Sequence, residues 1–153
     1  MKKIWKLVIS LLLPFLASAV GGFFTSSSVS TWYVGLVKPS FNPPNWVFGP
    51  VWTVLYLFMG IALYLVWTKK YDKKAFTAFG VQLSLNVLWS LFFFGMKLPL
   101  LAFIEIISLW IAILVTIMYF YRIKKASAYL LVPYLLWVSF AAVLNFFIFY
   151  LNI

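Results

Sequence analysis

Few residue types in this chain can do chemistry, and their spacing is therefore informative. It contains no Cys and no His. That removes disulfides, a thiolate nucleophile and the usual nitrogen ligands of zinc and haem iron, so no metal site is expected and no cofactor is required. What remains is a set of amide- and indole-bearing residues at helical intervals. Gln82, Asn86 and Trp89 follow i, i+4, i+7 and share one stripe of a helix. Trp137, Ala141, Leu144 and Asn145 do the same in a later stretch, and Trp52 and Tyr56 stand one turn apart after Phe48 and Gly49. Glu105 is the single acidic residue inside an apolar run. Such groups can line an apolar, aromatic pocket and supply it with a few polar anchors. They include no nucleophile–base pair and no metal cluster, so ordinary hydrolysis lacks its parts.

The elements that must position these residues are five apolar runs of about twenty residues, the length a helix needs to cross a hydrocarbon layer of roughly 30 Å. They fall near Trp5–Phe24, Asn45–Thr68, Phe76–Gly95, Leu98–Tyr121 and Ser127–Tyr150. The expected fold is an all-α membrane protein, a five-helix transmembrane bundle forming a single domain over 1–153. Of the twelve basic residues, ten lie at the N-terminus and in the second and fourth connections, and only Lys38 and Lys97 lie on the other side. The positive-inside rule then puts the N-terminus of a multi-pass membrane protein in the cytoplasm and its C-terminus outside. The net charge of +10 belongs to loops beside the spans, where it sets orientation and meets the headgroups of membrane lipids; no nucleic-acid partner is expected. The start of the chain resembles a cleavable signal, with Lys2, Lys3 and Lys6 before Leu7–Leu16 and Ala17-Ser18-Ala19. The apolar stretch continues through Val20–Phe24, however, so retention as a first span is expected, with Pro14 kinking it.

Three connections are short. The first connection, Thr25–Pro44, is instead long, aromatic and braced by Pro39, Pro43 and Pro44, and carries Trp32, Tyr33, Leu36 and Phe41. It reads either as a lid folded over the bundle mouth or as an interfacial loop anchored in headgroups. At 1.5 Å per residue, Trp52 and Glu105 lie on the order of 10 Å from the outer ends of their helices, Asn145 about 8 Å and Asn86 about 14 Å. The polar and indole groups thus concentrate in the outer half, beneath the long loop, which favours a capped aromatic pocket there.

Each residue also has a plainer role open to it. Asn86, Gln82 and Asn145 can be interhelical glue at about 0.6–2 kcal/mol apiece. Trp5 and Trp67 beside lysines suit an interfacial belt, and Trp110 can face lipid. Glu105 can bond Asn86 or Trp89, or pair with Lys97. Gly80-x-x-x-Ser84 offers a face for a homodimer. Asn86→Leu is expected to lower ligand affinity more than bundle stability.

Three separated motifs resemble the translocator protein family, whose bacterial members are called tryptophan-rich sensory proteins (TspO/MBR). They are Trp32-Tyr33 with Leu36-x-Lys38-Pro39-x-Phe41-x-Pro43-Pro44-x-Trp46 and Phe48-x-Pro50-Val51-Trp52-x-x-Leu55-Tyr56; then Gln82-Leu83-x-Leu85-Asn86-x-x-Trp89; then Pro133-Tyr134-x-x-Trp137-x-x-Phe140-Ala141-x-x-Leu144-Asn145. Gly21-Gly22-Phe23 agrees near the end of the first span. The resemblance, to a bacterial-type member, implies a commonly dimeric five-helix fold with a pocket closed by the first loop, located in the bacterial cell membrane. It implies binding of tetrapyrroles such as protoporphyrin IX, and of synthetic isoquinoline carboxamides and benzodiazepines. Carried over by motif, the pocket comprises Ser26, Val29, Phe48, Gly49, Val51, Trp52, Asn86, Trp89, Trp137, Ala141 and Leu144. Two departures stand out. The animal sterol motif lacks its basic residue after Tyr150, so no strong cholesterol site is expected, and Leu101 replaces a pocket Trp of animal relatives.

Three functions follow from these residues and the resemblance together. The first is a receptor or sensor for porphyrin-like ligands: Trp52 and Trp137 stack or bond, Asn86 orients, Asn145 adds an amide, Trp32 and Tyr33 close the loop, and Lys38 meets a propionate. The second is a light-dependent porphyrin-degrading enzyme in which Trp52 and Trp137 are the oxidisable partners and porphyrin is the substrate. The third, a small-molecule transporter, lacks an internal duplication or a midplane charge pair.

Overall fold

A computed structural model describes Met1–Ile153. All of its regular structure is helical: α1 Lys3–Ser26, α2 Asn45–Lys69, α3 Lys73–Ser90, α4 Pro99–Ile123 and α5 Lys125–Leu151, with a short 3₁₀ turn at Tyr33–Gly35. The five long helices are apolar enough to cross a membrane, so the chain is a multi-pass membrane protein as its composition requires. Local chemistry sets several ends. The Asp72 carboxylate accepts from the Ala75 N–H at 3.0 Å and caps α3, and Pro99 occupies the first turn of α4, where its missing N–H costs nothing.

The helices close into a ring in the order α1, α2, α5, α4, α3 and back to α1. Outward faces stay apolar, as at Leu12, Leu16, Ile104, Ile111, Met118 and Leu136, which suits lipid. At the lysine-rich end the ring is solid. Met59, Leu63, Val66, Ile113 and Phe120 are all within 1 % of full burial, and the rings of Phe79 and Phe120 stack at 5.9 Å. Lys6 donates to the Trp67 carbonyl at 3.1 Å and sits 5.8 Å from its ring, tying α1 to α2 at that boundary.

The third span departs from a regular helix. After Ser90 it widens into a π turn at Leu91–Gly95, with the Met96 N–H bonded to the Leu91 carbonyl at 2.7 Å. The wide turn shifts the helical phase, so Phe93 and Phe94 both face inward, 2 % and 8 % exposed.

The long loop is docked rather than loose. The Ser28 hydroxyl donates to the Phe94 carbonyl at 2.7 Å, and Tyr33 packs on Phe93 and Phe94 at 6.2 and 5.6 Å. Further on, the Asn152 side chain at the end of α5 takes both polar groups of Val37, accepting from its N–H at 2.9 Å and donating to its carbonyl at 2.8 Å. Phe41 then lies against Phe147 and Phe140 at 5.5 and 6.4 Å. The segment thus runs from α1 over the π turn to α5 before entering α2. Asn152→Ala removes both bonds of that latch. It is expected to raise the hydrogen-exchange rate of the Val37 amide about tenfold, for a loss of roughly 1–1.5 kcal/mol, with the helix amides unchanged.

Candidate functional site

Beneath the loop the ring encloses a chamber of about 660 Å³, within the range typical of small-molecule sites. α2 contributes Phe48, Gly49, Trp52 and Tyr56 to its wall; α3 and the π turn contribute Asn86, Trp89, Ser90, Phe93 and Phe94. α4 supplies Ile106 and Leu109, α5 supplies Val138, Ala141, Leu144, Asn145 and Ile148, and α1 with the loop supplies Ser26, Val29 and Tyr33. No charged side chain lines it.

The polar groups in this wall are bound to one another. The Tyr56 hydroxyl donates to Asn86 Oδ1 at 2.6 Å, and Asn86 Nδ2 donates to the Tyr134 hydroxyl at 2.9 Å, joining α2, α3 and α5. One turn towards the loop, Trp89 Nε1 donates to Asn145 Oδ1 at 3.0 Å, and Asn145 Nδ2 donates to the Pro99 carbonyl at 2.8 Å, joining α3, α5 and α4. The amides of Asn86 and Asn145 are therefore interhelical bridges as well as wall residues. Aromatic contacts stiffen the same surface: Trp52 stacks on Tyr56 at 5.6 Å, and Trp89 stacks on Phe93 at 5.1 Å. In the loop, burial pushes the Tyr33 phenol above its ordinary pKa, partly offset by its bond to Asn42 Oδ1 at 3.2 Å.

Of the residues read from sequence, Ser26, Val29, Tyr33, Phe48, Gly49, Trp52, Asn86, Trp89, Ala141, Leu144 and Asn145 are brought to this one chamber. Four are not on its wall. Trp137 stands behind Phe48 with ring centroids 6.0 Å apart, its buried indole N–H without a partner. Trp32 packs edge-on against Phe93 at 5.7 Å from the loop side. Val51 packs against the apolar core. Lys38 is turned back on the loop, donating to the Leu36 carbonyl at 3.0 Å with its ammonium 4.7 Å from the Tyr33 ring.

Two other expectations are corrected. Glu105 bonds neither Asn86 nor Trp89 and does not pair with Lys97: it is 7 % exposed and both carboxyl oxygens lack a partner, because Asn86 and Trp89 are already engaged elsewhere. Trp110 is not simply a lipid-facing residue, since its indole N–H donates to Ser139 Oγ of α5 at 2.8 Å. Wall residues missed from sequence include Phe93, Phe94, Ile106, Leu109 and Ile148. Nothing in the run Leu91–Gly95 marks which phenylalanines turn inward, and the α4 residues carry no polar neighbour to flag them.

A ring of five membrane-crossing helices around a loop-covered, aromatic chamber defines a class of integral membrane proteins. Within it, this chain belongs to the TspO/MBR family, whose model matches residues 10–151. It is 50 % identical over 151 residues to the tryptophan-rich protein TspO of Archaeoglobus fulgidus, covering 97 % of this chain and 98 % of that one. It is 39 % identical to the human translocator protein over 140 residues, 88 % and 83 % of the two chains, and 36 % identical to the tryptophan-rich sensory protein of Cereibacter sphaeroides, 90 % and 88 % covered. Family membership and the five spanning helices together make it a multi-pass membrane protein, with a bacterial relative among its matches.

Proposed function

We propose that this protein is a membrane receptor for flat, hydrophobic, porphyrin-like ligands, with protoporphyrin IX as the type case. Drug-like isoquinoline carboxamides and benzodiazepines would compete for the same chamber. The observation that carries this reading is the 660 Å³ chamber itself, walled by Phe48, Trp52, Trp89 and Phe93 with Asn86 and Asn145 among them. A planar macrocycle gains stacking area on such walls. Its carboxylates would stay at the mouth, since no cation lines the interior. The names of the relatives, a translocator and a sensory protein, agree with a ligand-responsive role.

The test is a titration of the purified protein in detergent with protoporphyrin IX in darkness. Saturable quenching of tryptophan fluorescence is expected, with Trp52→Phe weakening affinity roughly threefold to tenfold, the equivalent of about 0.5–1.5 kcal/mol of aromatic contact. Trp137→Phe should do less, because that indole is one layer behind the wall. Absence of both quenching and a Soret shift in the wild type would end the tetrapyrrole reading. A second reading, light- and oxygen-dependent breakdown of the bound porphyrin, draws support from Trp52, an oxidisable ring on the wall within 6.3 Å of both Tyr56 and Tyr134. Illumination that bleaches the Soret band with formation of a new product in the wild type, but not in Trp52→Phe, would select it.

A further inference from the structure

The ring is closed tightly on one half of the α1–α2 seam and left open on the other. At the lysine-rich half the two helices touch backbone to backbone. A Cβ on Gly60 would stand 2.7 Å from Leu11 Cδ2 and 3.0 Å from both Leu11 Cα and the Ser10 carbonyl oxygen. Eleven residues further along each helix, about 16 Å towards the loop, Gly22 and Gly49 reach the same level. There a Cβ on either glycine meets nothing within 4 Å. One turn to either side the same register sets Ser26 opposite Asn45 and Ser18 opposite Thr53.

All six of these residues line the chamber, and all but Ser18 are exposed, unlike the lining residues of the closed wall. Exposed lining residues mark a break in the wall. Elsewhere the helices seal the chamber: Asn86, Phe93, Ile106, Leu109 and Val138 are at most 3 % exposed. The remaining exposed lining residues, Ser30 and Val34, belong to the loop. The gap extends about 12 Å along α1 and α2 from their loop ends, well below the mouth. Val20, Phe23 and Val54 beside it are 47 %, 70 % and 46 % exposed, so it opens onto a surface made for acyl chains. Small facing residues normally let membrane helices close up. Here they leave space instead, since a side chain at either glycine would meet no neighbour whereas one at Gly60 would strike the backbone of α1.

We infer that the chamber is filled sideways from the bilayer, through the gap between α1 and α2, by a lipid-dissolved planar amphiphile rather than by a solute arriving from water beneath the loop. The inference rests on the chamber being a ligand site, as proposed above, but not on the ligand being a tetrapyrrole. It makes Gly22 and Gly49 gate residues: they line the chamber at the seam, and side chains there narrow the entrance while leaving the aromatic rings of the wall in place.

The test exploits the absence of cysteine. Ala141→Cys places one thiol on the far wall of the chamber, on α5. In lipid nanodiscs, a lipid-soluble pyrene maleimide is expected to label it faster than a sulfonated, membrane-impermeant maleimide. Adding Gly22→Leu and Gly49→Leu is expected to slow the lipid-soluble reagent about tenfold, which corresponds to roughly 1.4 kcal/mol of added barrier, with an unchanged melting temperature. Adding Asn152→Ala instead, which loosens the loop, should leave that rate unchanged. Three results would overturn the inference: the charged reagent labelling as fast as the lipid-soluble one, the loop variant accelerating labelling while the glycine variants do nothing, or neither reagent reaching the thiol. No tetrapyrrole takes part, so a failed porphyrin titration and a failed lateral gate are separate outcomes.

Discussion

Asn86→Leu is expected to destabilise the bundle by about 2–4 kcal/mol, a larger effect than the loss of a single ligand contact. The amide is 3 % exposed and holds two phenols at once, Tyr56 through its oxygen and Tyr134 through its nitrogen. Leucine is similar in size but leaves both hydroxyls buried without their partner, on side chains that are 6 % and 0 % exposed. Each orphaned hydroxyl costs about 1–3 kcal/mol, with the lower end favoured here because a membrane-embedded unfolded state also offers partners. Spacing alone suggested the opposite ranking, affinity ahead of stability. The bonds reverse it by showing that the residue spans three helices before any guest arrives. Thermal or SDS-driven unfolding of Asn86→Leu beside Tyr134→Phe measures this. Tyr134→Phe keeps the Tyr56–Asn86 bond and should lose about half as much. If the leucine variant unfolds with a change below about 0.6 kcal/mol, the three side chains do not act as one bridge.

Much of the fold could be read from the sequence because the membrane narrows the choices. A backbone in hydrocarbon must satisfy its own polar groups, so five apolar runs of spanning length can only be helices. The indole and amide stripes were legible for a related reason: at i, i+4, i+7 they fall on one face, and polar groups on a membrane helix turn inward. That is why Trp52, Asn86, Trp89 and Asn145, on three different helices, could be assigned to one chamber. What could not be read depends on phase and on long-range partners. The π turn at Leu91–Gly95 breaks the 3.6-residue period just where Phe93 and Phe94 enter the wall. The latch between Val37 and Asn152 joins residues 115 apart in the chain. Trp137 shares its stripe of α5 with Ala141, Leu144 and Asn145, yet it packs edge-on against Phe48 of α2, which lines the chamber while Trp137 does not. Only the packing of two helices decides which of two aromatic rings a guest touches first.

The same substitution at two glycines of the α1–α2 seam should give opposite results. Gly60→Leu is expected to destabilise the protein by about 1–3 kcal/mol or more, since a core with no spare volume has to move backbone to admit a side chain. The nearest obstacles to its Cβ include Leu11 Cα and the Ser10 carbonyl oxygen, which cannot rotate away as a side chain can. Ser10 is itself fully buried, so α1 must shift as a body. Gly22→Leu meets no neighbour at its Cβ and replaces the weaker helix former on an exposed face, so its stability should be equal to wild type or slightly higher. Parallel melting curves in one detergent decide between a seam tight at one end and a seam packed evenly. Equal losses at the two positions would mean that α1 and α2 lie in contact along their whole length, and the chamber would then have no side opening. A drop confined to Gly60→Leu makes that residue the pivot from which the two helices diverge, and the distance they diverge sets the thickness of molecule that can pass between them.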